Sequence, residues 1–505
     1  MRARRWLPVI LTSVLAVPAV GAPASALATP TSAAPTAATA VSASATGTNG
    51  GGSGLAKRID RARDWAAGKA ARDSRACRSG NDYRASNALG SGAYLLSHRT
   101  WRSFGGRQFA KNAASAPRFA QDYVAWQVYR DSQWRELGCP TADWMQVVFD
   151  QARGRTLSHI LIPGTHDSGA NGIRDRAPCR PKVIAGASSV FAVGAEKNPC
   201  VAAALARAQD QGLGAQLRGG VRYLDIRVGV PADKVITHPR PPAKNPLKVP
   251  LVLQHNYVSQ SVDKALSQVL RFADDHPREQ IIFDIQHVDL TGDPAIDEYY
   301  LDALDGVLHQ LRGREGGRTA CQAAWSRHKF PVPDTKLGTE VPLRWAWGVD
   351  RNLLILVPDY MPKSGCFRSR DKAIASPWPN TDQPEVSKAA NEDYLAERAR
   401  RLKSGKCVAA DGTHWCGLFV NQQQLTPSSS MWANCVFNNI GDTCSLRRLA
   451  ELVNDDVARW LTKWTKRGDP TNIQIIDYYE HSAPLVVDRL IRLNWAGVPH
   501  APGLG

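Results

Sequence analysis

Several signals that assign a chain to a common functional class are missing from this sequence. Its ten cysteines include no Cys-x-x-Cys pair, which argues against a zinc ribbon and against a thioredoxin-type redox centre. No Gly-rich loop follows the first apolar run, so a doubly wound, phosphate-cradling open sheet is the weaker alternative for the fold. Internal repeats are absent, and so are zinc-finger, RNP-like and helix-turn-helix patterns. Nucleic acid is therefore not an expected partner.

Long apolar runs are scarce as well. The one candidate, residues 6–20, is broken by Pro8 and Pro18 and is too short for a stable membrane span. Arginines precede this run and small residues suited to cleavage follow it, which is the pattern of a signal peptide over residues 1–28. Sec and twin-arginine export both remain open, and either one predicts a secreted, extracellular protein.

The cysteines fit the oxidising destination that export implies. Their spacing predicts mostly local disulfides, although the connectivity does not follow from sequence alone. The predicted pairs are Cys77–Cys139, Cys179–Cys200, Cys321–Cys366, Cys407–Cys416 and Cys435–Cys444. The segment between Cys179 and Cys200 carries apolar residues after the first predicted strand, which is typical either of a lid or membrane-contact loop or of a partly buried insertion.

The charge is strongly one-sided. The formal net charge of the chain is +17, and loss of the three arginines of the signal segment leaves +14. A basic secreted protein is attracted to anionic lipid, wall polymers or nucleic acid, while a basic but merely solvated surface explains the same number. Both interpretations stand, with nucleic acid as the weakest of the partners.

Composition divides the chain into four parts. After the signal segment, residues 29–54 consist almost entirely of Ala, Thr, Ser, Pro and Gly, which predicts a disordered linker. Residues 55–140 show helical spacing around several tryptophans and are predicted to form a small, mostly helical N-terminal accessory region of undetermined role. Residues 141–505 alternate strand-like and helix-like patterns and are predicted to form the catalytic part.

The alternation in residues 141–505 predicts the fold class. Amphipathic helical patterns, such as those over 296–308 and 446–461, lie between several apolar runs. Repeated β–α units with polar residues at the strand ends predict an α/β fold: a TIM-type β/α barrel, irregular because some linking helices are not evident. The candidate strands are the apolar or β-branched runs at 157–162, 221–228, 251–254, 281–288, 353–357, 418–420 and 473–476.

Ionisable groups cluster where the first two candidate strands end. The first run leads into Pro163-Gly-Thr-His166-Asp167, which puts an imidazole and a carboxylate side by side. The second run contains Asp225-Ile-Arg227, and because strand side chains alternate, this acid and this guanidinium share one face. A histidine, carboxylates and an arginine at one end of a parallel barrel predict a site for a phosphate ester.

Two further strand ends complete an acid–base set. The run at 251–254 ends in His255, and a second imidazole supplies what phosphodiester cleavage needs: one group accepts the proton of the attacking hydroxyl and the other protonates the leaving oxygen. Arg227 can stabilise charge on the non-bridging oxygens through its planar fork. In a closed barrel the last strand lies beside the first, so Asp477 is predicted to hydrogen-bond His166 and fix its tautomer, with an ordinary capping or loop acid as the alternative.

These segments resemble the bacterial phosphatidylinositol-specific phospholipase C family, of the X-domain type. The resemblance covers roughly residues 141–495 and implies an irregular TIM-type barrel. It also implies a lyase-type cleavage in which the inositol 2-hydroxyl attacks the phosphorus, giving inositol 1,2-cyclic phosphate and diacylglycerol. The motifs that carry it are Asp143-Trp-Met, Leu161-Ile-Pro-Gly-Thr-His-Asp-Ser168, Gln216-Leu217, Gly220-Val-Arg-Tyr-Leu-Asp-Ile-Arg227, His255, Pro277-x-Glu279 and Asp477.

The resemblance implies a role for each catalytic candidate. His166 would be the base on the 2-hydroxyl, paired with Asp477. His255 would be the acid toward the diacylglycerol oxygen, assisted by Asp167. An inositol phospholipid is accordingly the expected substrate, met through transient, peripheral contact with a membrane surface by a protein expected to be monomeric.

The phosphate-binding pair is similar to that of the metal-free members. Arg227 would stabilise the phosphate, with Asp225 holding it in place, so neither a metal nor another cofactor is predicted. Related barrel phosphodiesterases that act on glycerophosphodiesters or sphingolipids usually carry a Glu-x-Asp metal pair at this position, which makes that alternative weaker. A catalytically silent lipid- or glycan-binding barrel is the other alternative, and the complete acid–base set argues against it.

Substrate specificity is less well defined. In the family the inositol ring is held by a basic residue after the fifth strand and by an acid and an aromatic residue after the sixth. Here the fifth candidate strand is followed by Asp359-Tyr360 and the sixth by Asn421-Gln-Gln423. The amides of Asn421 and Gln423, together with Tyr257 after His255, are the predicted substrate-binding residues. Asp284 and Gln286 alternate with apolar residues and belong either to the barrel mouth or to an internal hydrogen-bonding layer.

Overall fold

The computed structural model describes residues 52–132, 142–149 and 154–495 of the chain. The predicted signal segment, nearly all of the predicted linker and the predicted pair Cys77–Cys139 lie outside the described residues, and the predicted boundaries of the four parts stay predictions. Short segments inside the described ranges are also excepted, namely 69–70, 73, 76–78, 80, 88–89, 241, 362–364, 439–442 and 481–483.

The N-terminal region is helical, as predicted. Its first helix begins at Gly52, inside the segment that the composition assigns to the linker. Trp101, Tyr123 and Val124 are buried together with smaller apolar side chains in a hydrophobic core that belongs to this region. The elements around that core are the helices Gly52–Ala67, His98–Ser103 and Arg118–Ser132, the 3-10 turns Gly106–Gln108 and Ala113–Ser115, and the hairpin of β1 (Ser86–Asn87) and β2 (Gly90–Ser91).

In the described part of the catalytic region, eight short strands run parallel in a curled sheet. They are β3 (Ile162–Thr165), β4 (Tyr223–Gly229), β7 (Ile281–Asp289), β8 (Leu353–Val357), β9 (Arg368–Ser369), β10 (Ile374–Ala375), β11 (Leu418–Gln422) and β12 (Ile473–Ile476). Two more strands, β5 (Val252–His255) and β6 (Tyr257–Ser261), form an antiparallel hairpin that pairs with the end of β4.

The strand order identifies an irregular TIM-type barrel. It runs β10–β11–β12–β3–β4–β7–β8–β9, so the last strand lies beside the first, as predicted. β9 and β10 are joined by the short helix Arg370–Ala373 and form no ladder with each other in the described residues. The barrel is therefore open on this side, because strands of two residues are too short to continue the ladder.

Helices cover the outer face of the sheet. Their apolar faces follow the predicted periodicity: Val453, Val457 and Leu461 are buried on one helix, and Tyr300, Leu304 and Leu308 on another. The main helices of the described catalytic region are Trp144–Phe149, Ser189–Lys197, Pro199–Ala204, Leu213–Arg218, Val262–Asp275, Pro294–Gln310, Leu343–Gly348, Pro384–Ser404, Leu446–Arg467 and Pro484–Trp495. Single-turn helices occur at Ala320–Ala323, Leu337–Glu340 and Ser429–Ala433.

Two predicted strands differ from those observed. The first run was placed at 157–162, but residues Leu157–His159 form a 3-10 turn and the strand begins only at Ile162. The run at 251–254 is a strand, but it is antiparallel to β4 and does not belong to the ring of parallel strands. Local apolar pattern does not distinguish strand direction, because direction depends on the partner strand.

Four of the predicted disulfides are formed: Cys179–Cys200, Cys321–Cys366, Cys407–Cys416 and Cys435–Cys444. Among the described helices, none combines the length and the apolar character that crossing a bilayer requires.

The motif residues away from the mouth have a structural explanation. Arg222 and Glu279 form a fully buried ion pair with 2.6 Å between Nη2 and Oε2. Glu279 also accepts the backbone N–H groups of Met145 and Gln146, and the Trp144 indole donates to the Gly220 carbonyl. The Asp-Trp-Met and Pro-x-Glu motifs thus tie the chain entering the barrel to β4, and loss of one partner of this pair would leave a buried charge at a cost of about 3–5 kcal/mol.

Candidate active site

Neighbouring strand ends bring the sequence-predicted catalytic residues together. β12 pairs with β3 along its length and β3 pairs with β4, so His166, Arg227 and Asp477 meet at one end of the sheet. Close approach of these strands depends on Gly164: a Cβ there would lie 2.8 Å from Ile475 Cγ2 and 2.9 Å from Tyr223 Cδ1. The glycine of the Pro-Gly-Thr-His motif is therefore required by packing.

His166 is oriented by hydrogen bonds at both ring nitrogens. Arg227 Nη2 donates to His166 Nε2 at 2.9 Å, and because a guanidinium cannot accept, Nε2 must be the acceptor. Nδ1 then carries the proton and donates to Asp477 Oδ1 at 2.8 Å. Both His166 and Asp477 are buried. This tautomer keeps the proton off Nε2, whose lone pair accepts from Arg227, and an unprotonated nitrogen of this kind is what a general base needs.

Backbone contacts hold this pair in place. The amide of Gln209 donates to the carbonyls of His166 and Ile476, at 3.0 and 2.9 Å, and so joins the two strand ends. The amide of Asn454 donates to the Asp477 carbonyl at 2.9 Å. Sequence analysis missed Gln209, since it lies in a loop with no pattern of its own; only its position in the fold gives it this role.

Arg227 lies between two buried carboxylates. Its Nη2 is 3.6 Å from Asp225 Oδ2, and its Nε is 3.9 Å from Asp167 Oδ2. Asp225 Oδ2 also accepts the backbone N–H of Asp167 at 3.0 Å, and Asp167 has the positive φ of +38°. Burial opposes ionisation of Asp225, but Arg227 and the neighbouring partners outweigh it and lower its pKa. Asp225 is thus a carboxylate suited to fixing the guanidinium.

His255 faces His166 across the cleft. The two ring centroids are 5.5 Å apart and the ring planes are nearly perpendicular, at 84°. His255 Nδ1 donates to the Ala206 carbonyl at 2.8 Å and lies 3.3 Å from Asp167 Oδ2. The antiparallel hairpin, rather than a parallel barrel strand, delivers this histidine to the site.

Burial sets the protonation of the His255 side of the site. It lowers the pKa of His255 well below 6.5, and the nearby Arg227 and His166 act in the same direction. Burial also raises the pKa of Asp167, against the opposing influence of Arg227. In the free protein His255 is therefore neutral with its proton on Nδ1. Nε2 can donate a proton only after the ring gains a second one, and an anionic phosphodiester beside the ring favours that charge.

The three predicted substrate-binding side chains are buried and hydrogen-bonded to other protein groups. Tyr257 is fully buried, and its hydroxyl donates to the Phe191 carbonyl at 2.9 Å. Asn421 donates to Asn391 on the outer helix Pro384–Ser404, and Gln423 donates to Gln474. Asn421 near the end of β11 and Gln423 just after it share Gln474 of β12 as a hydrogen-bond partner, and the substrate-binding role of these residues stays a prediction.

A second buried cluster lines the barrel next to Arg227. The Tyr223 hydroxyl donates to Asp284 Oδ2 at 2.6 Å, Arg370 Nε lies 3.1 Å from Asp284 Oδ1, and the Gln286 amide donates to the Tyr223 oxygen at 3.1 Å. Burial raises the pKa of Asp284 to about 6, although Arg370 opposes the shift. Sequence analysis missed Arg370 because β9, the strand before it, has two residues and so leaves no apolar run as a signal.

Side chains with metal-ligand spacing gather elsewhere in the described residues. His309, Cys321 and Cys366 lie close enough to share an ion, but the two sulfurs are joined in a disulfide. At the cleft, the positive charge beside the buried carboxylates comes from Arg227.

Comparison with known proteins gives the relationship of the barrel. PI-PLC X domain-containing protein 3 of Mus musculus is 23% identical over 357 residues, which cover 70% of this chain and 94% of that protein. The chain is similar to PI-PLC X domain-containing protein 3 over most of that protein's length. The variant-surface-glycoprotein phospholipase C of Trypanosoma cruzi, 24% identical over 334 residues, covers 64% of this chain and 77% of its own length.

Among solved structures, the phosphatidylinositol-specific phospholipase C of Listeria monocytogenes is 16% identical, covers 70% of this chain and 99% of its own, and has a TM-score of 0.41. Residues 68–138 match a family model of a different kind, described as Transglycosylase-like domain. That match lies in the N-terminal accessory region, for which the sequence patterns indicate no role.

Proposed function

We propose that this PI-PLC X-domain relative is a secreted phospholipase C that cleaves inositol phospholipids through their own 2-hydroxyl. The observation that carries the proposal is the opposition of two imidazoles, 5.5 Å apart, with a guanidinium hydrogen-bonded to one of them. A binding module has no need for two histidines each positioned by a separate hydrogen-bond partner, whereas acid–base cleavage of a phosphodiester needs both.

His166 is the proposed base. Its Nε2 takes the proton of the inositol 2-hydroxyl while that oxygen forms a bond to phosphorus. Asp477 stabilises the imidazolium that results, through the 2.8 Å bond at Nδ1. In the free protein Arg227 occupies the Nε2 lone pair. Binding of the phosphate therefore has to draw the guanidinium onto the non-bridging oxygens, which frees the base at the moment when substrate arrives.

His255 is the proposed acid. The bond between phosphorus and the diacylglycerol oxygen breaks, and His255 Nε2 gives its proton to that oxygen. Asp167, 3.3 Å from Nδ1, favours the protonated ring. The products are inositol 1,2-cyclic phosphate and diacylglycerol, and the proton removed by one histidine is balanced by the proton released from the other.

The acid marks the side of the cleft on which the lipid lies. Two residues after His255, Tyr257 anchors the helix Ser189–Lys197 through the Phe191 carbonyl. Val190 and Val193 on this helix are 42% and 37% exposed, unusually open for large apolar side chains. We assign this helix to transient contact with the bilayer, because the diacylglycerol leaves toward it and exposed apolar side chains favour a lipid surface.

Export is the remaining part of the proposal. The signal-peptide pattern of residues 1–28 predicts it, and four disulfides in the described chain are typical of proteins that fold in an oxidising compartment.

A headgroup panel tests the function directly. The purified protein is incubated with phosphatidylinositol, a glycerophosphodiester and sphingomyelin, each with and without chelator, and products are followed by phosphorus NMR. The cyclic phosphate signal from phosphatidylinositol alone, in both conditions, is the expected result. It should vanish in His166→Ala and His255→Ala while both variants stay folded. Turnover of another headgroup, or full activity in either variant, would overturn the proposal.

A further inference from the structure

The N-terminal region carries far more positive charge per residue than the barrel. Residues 54–132 contain 15 lysines and arginines against 6 aspartates and no glutamate, a formal charge of +9 within the +17 of the whole chain. Between Asp82 and Asp122 there are six basic residues and no acid. Self-repulsion on this scale disfavours a small fold, which points to a use for the charge outside folding.

Four of these cations lie on one short segment, residues 97–112, which we call the basic segment. Two of them, Arg99 and Arg102, share a face of the helix His98–Ser103 because they are three positions apart. The buried Trp101 donates its indole N–H to the Ala110 carbonyl at 2.9 Å, which folds the segment back on itself. The exposed cations that this fold gathers are Arg99, Arg102, Arg107 and Lys111.

Acids of the same region do not neutralise the basic segment. Within the described part of the region, the ion pairs are Arg63–Asp60 and Arg75–Asp122. Asp122 is buried, and its Oδ1 accepts hydrogen bonds from the hydroxyls of Tyr83 and Tyr94 at 2.9 and 2.8 Å. This acid is therefore fully engaged inside the region, and the surface cations remain available to an external anion.

The exposed surface indicates which kind of anion fits. In the described chain, the large apolar side chains that are exposed all belong to the barrel, so the N-terminal region offers nothing to insert into a bilayer. The match of residues 68–138 to the Transglycosylase-like domain family points to a glycan chain rather than to nucleic acid. Cleavage of a glycan uses a carboxylic acid in the cleft, and in the described part of the N-terminal region, residues 52–132, the one buried acid, Asp122, is already engaged.

We propose that the N-terminal region is a module that binds an anionic cell-wall glycan polymer without cleaving it, with the basic segment as the contact surface. The module concentrates the enzyme at the envelope independently of the chemistry in the barrel. Binding of this kind is electrostatic, so it weakens as salt rises.

The test uses the full chain and insoluble peptidoglycan that still carries its anionic polymers, with acid-stripped peptidoglycan as the comparison. The variant Arg99→Gln, Arg102→Gln, Arg107→Gln, Lys111→Gln removes the four charges of the basic segment. The control variant Lys234→Gln, Arg240→Gln, Lys244→Gln, Lys248→Gln removes the same charge from exposed barrel positions. Cosedimentation at several salt concentrations gives the affinity, and turnover of a soluble substrate gives the activity.

The expected result is a loss of affinity of roughly tenfold or more in the basic-segment variant and for stripped peptidoglycan, with little change in the control variant. Turnover should be unchanged in all. A companion variant with Arg99, Arg102 and Arg107 each replaced by Lys keeps the charge and should keep binding, which separates a charge effect from a folding defect.

Equal binding by the wild-type chain and the basic-segment variant would overturn the proposal. So would release of soluble glycan fragments, or tighter binding to duplex DNA or to anionic vesicles than to peptidoglycan at equal phosphate concentration.

Discussion

Replacement of Asp477 by asparagine exchanges one carboxylate oxygen for an amide nitrogen, and it should change kcat without changing the stability of the fold. The aspartate accepts from His166 Nδ1 at 2.8 Å and so keeps the proton off Nε2. An asparagine amide can instead donate to Nδ1, which moves the proton to Nε2 and removes the lone pair that takes the 2-hydroxyl proton. The variant changes neither the size of the side chain nor the strand that carries it.

The expected loss is large in kcat and absent in stability. A wrong tautomer together with the loss of a buried charge partner predicts a fall of about 10²–10⁴ in kcat, which corresponds to a barrier about 3–5 kcal/mol higher. Burial raises the pKa of Asp477 above 3.8, with His166 opposing the shift. The folded state then binds more protons than the unfolded state, so the free energy of unfolding falls as pH rises through this folded pKa. Asparagine removes that penalty, and the free energy of unfolding at neutral pH should be no lower than in the wild type.

Single-turnover kinetics and urea unfolding measure the two quantities on the same preparation. Asp469→Asn makes the same chemical change beyond the opposite end of β12, where the partly buried Asp469 pairs with the exposed Arg467, and should leave kcat unaltered. If Asp477→Asn retains kcat within about twofold, the assignment of the His166–Asp477 pair as the base is wrong. If it unfolds the protein, the carboxylate is structural and the sign derived from burial is incorrect.

Three further outcomes follow from the site. Because burial lowers the pKa of His255 below 6.5, kcat/KM should fall as pH rises through that pKa. The fall in kcat should come at a higher pH than the fall in kcat/KM, because bound phosphate favours the protonated ring. Profiles of both that stay flat to pH 8 would contradict the acid role. Arg227→Lys keeps one positive charge but loses the planar fork, so kcat should drop on the order of 10²–10³, with a near-normal value arguing against phosphate contact. Val190→Asp with Val193→Asp should slow turnover of phosphatidylinositol in vesicles by roughly tenfold and spare a water-soluble substrate. Leu452→Asp, on the helix Leu446–Arg467 and 52% exposed, should leave both activities unchanged.

The set of candidate catalytic residues was accessible from sequence because its signals are local. His166 follows a Pro-Gly turn, and Asp225 and Arg227 are two positions apart on a strand, so alternation alone puts them on one face. Pairing of the first and last strands follows from barrel closure, and it correctly predicts the contact of His166 with Asp477. These inferences need no knowledge of distant contacts beyond the fold class.

The substrate-binding residues are the part of the site that local patterns define least. Asn421 and Gln423 stand at a strand end, but which face of β11 points inward is decided by its partners β10 and β12. Tyr257 lies two positions after His255, yet its hydroxyl donates to the Phe191 carbonyl on the helix Ser189–Lys197. A strand end specifies a place along the barrel axis, while the direction of each side chain depends on packing.

The sequence by itself therefore determined the fold class, most of the strands and the chemical types gathered at the mouth, because hydrophobic period and strand-end residues are local properties. Cysteine spacing suggested four disulfide pairs, and the structure decided their connectivity. Only the tertiary structure decided that His255 arrives on an antiparallel hairpin, that Gln209 joins two strand ends and that Arg370 meets Asp284. It also decided the protonation of the site, because the pKa values of His255 and Asp167 depend on burial among groups far apart in the chain.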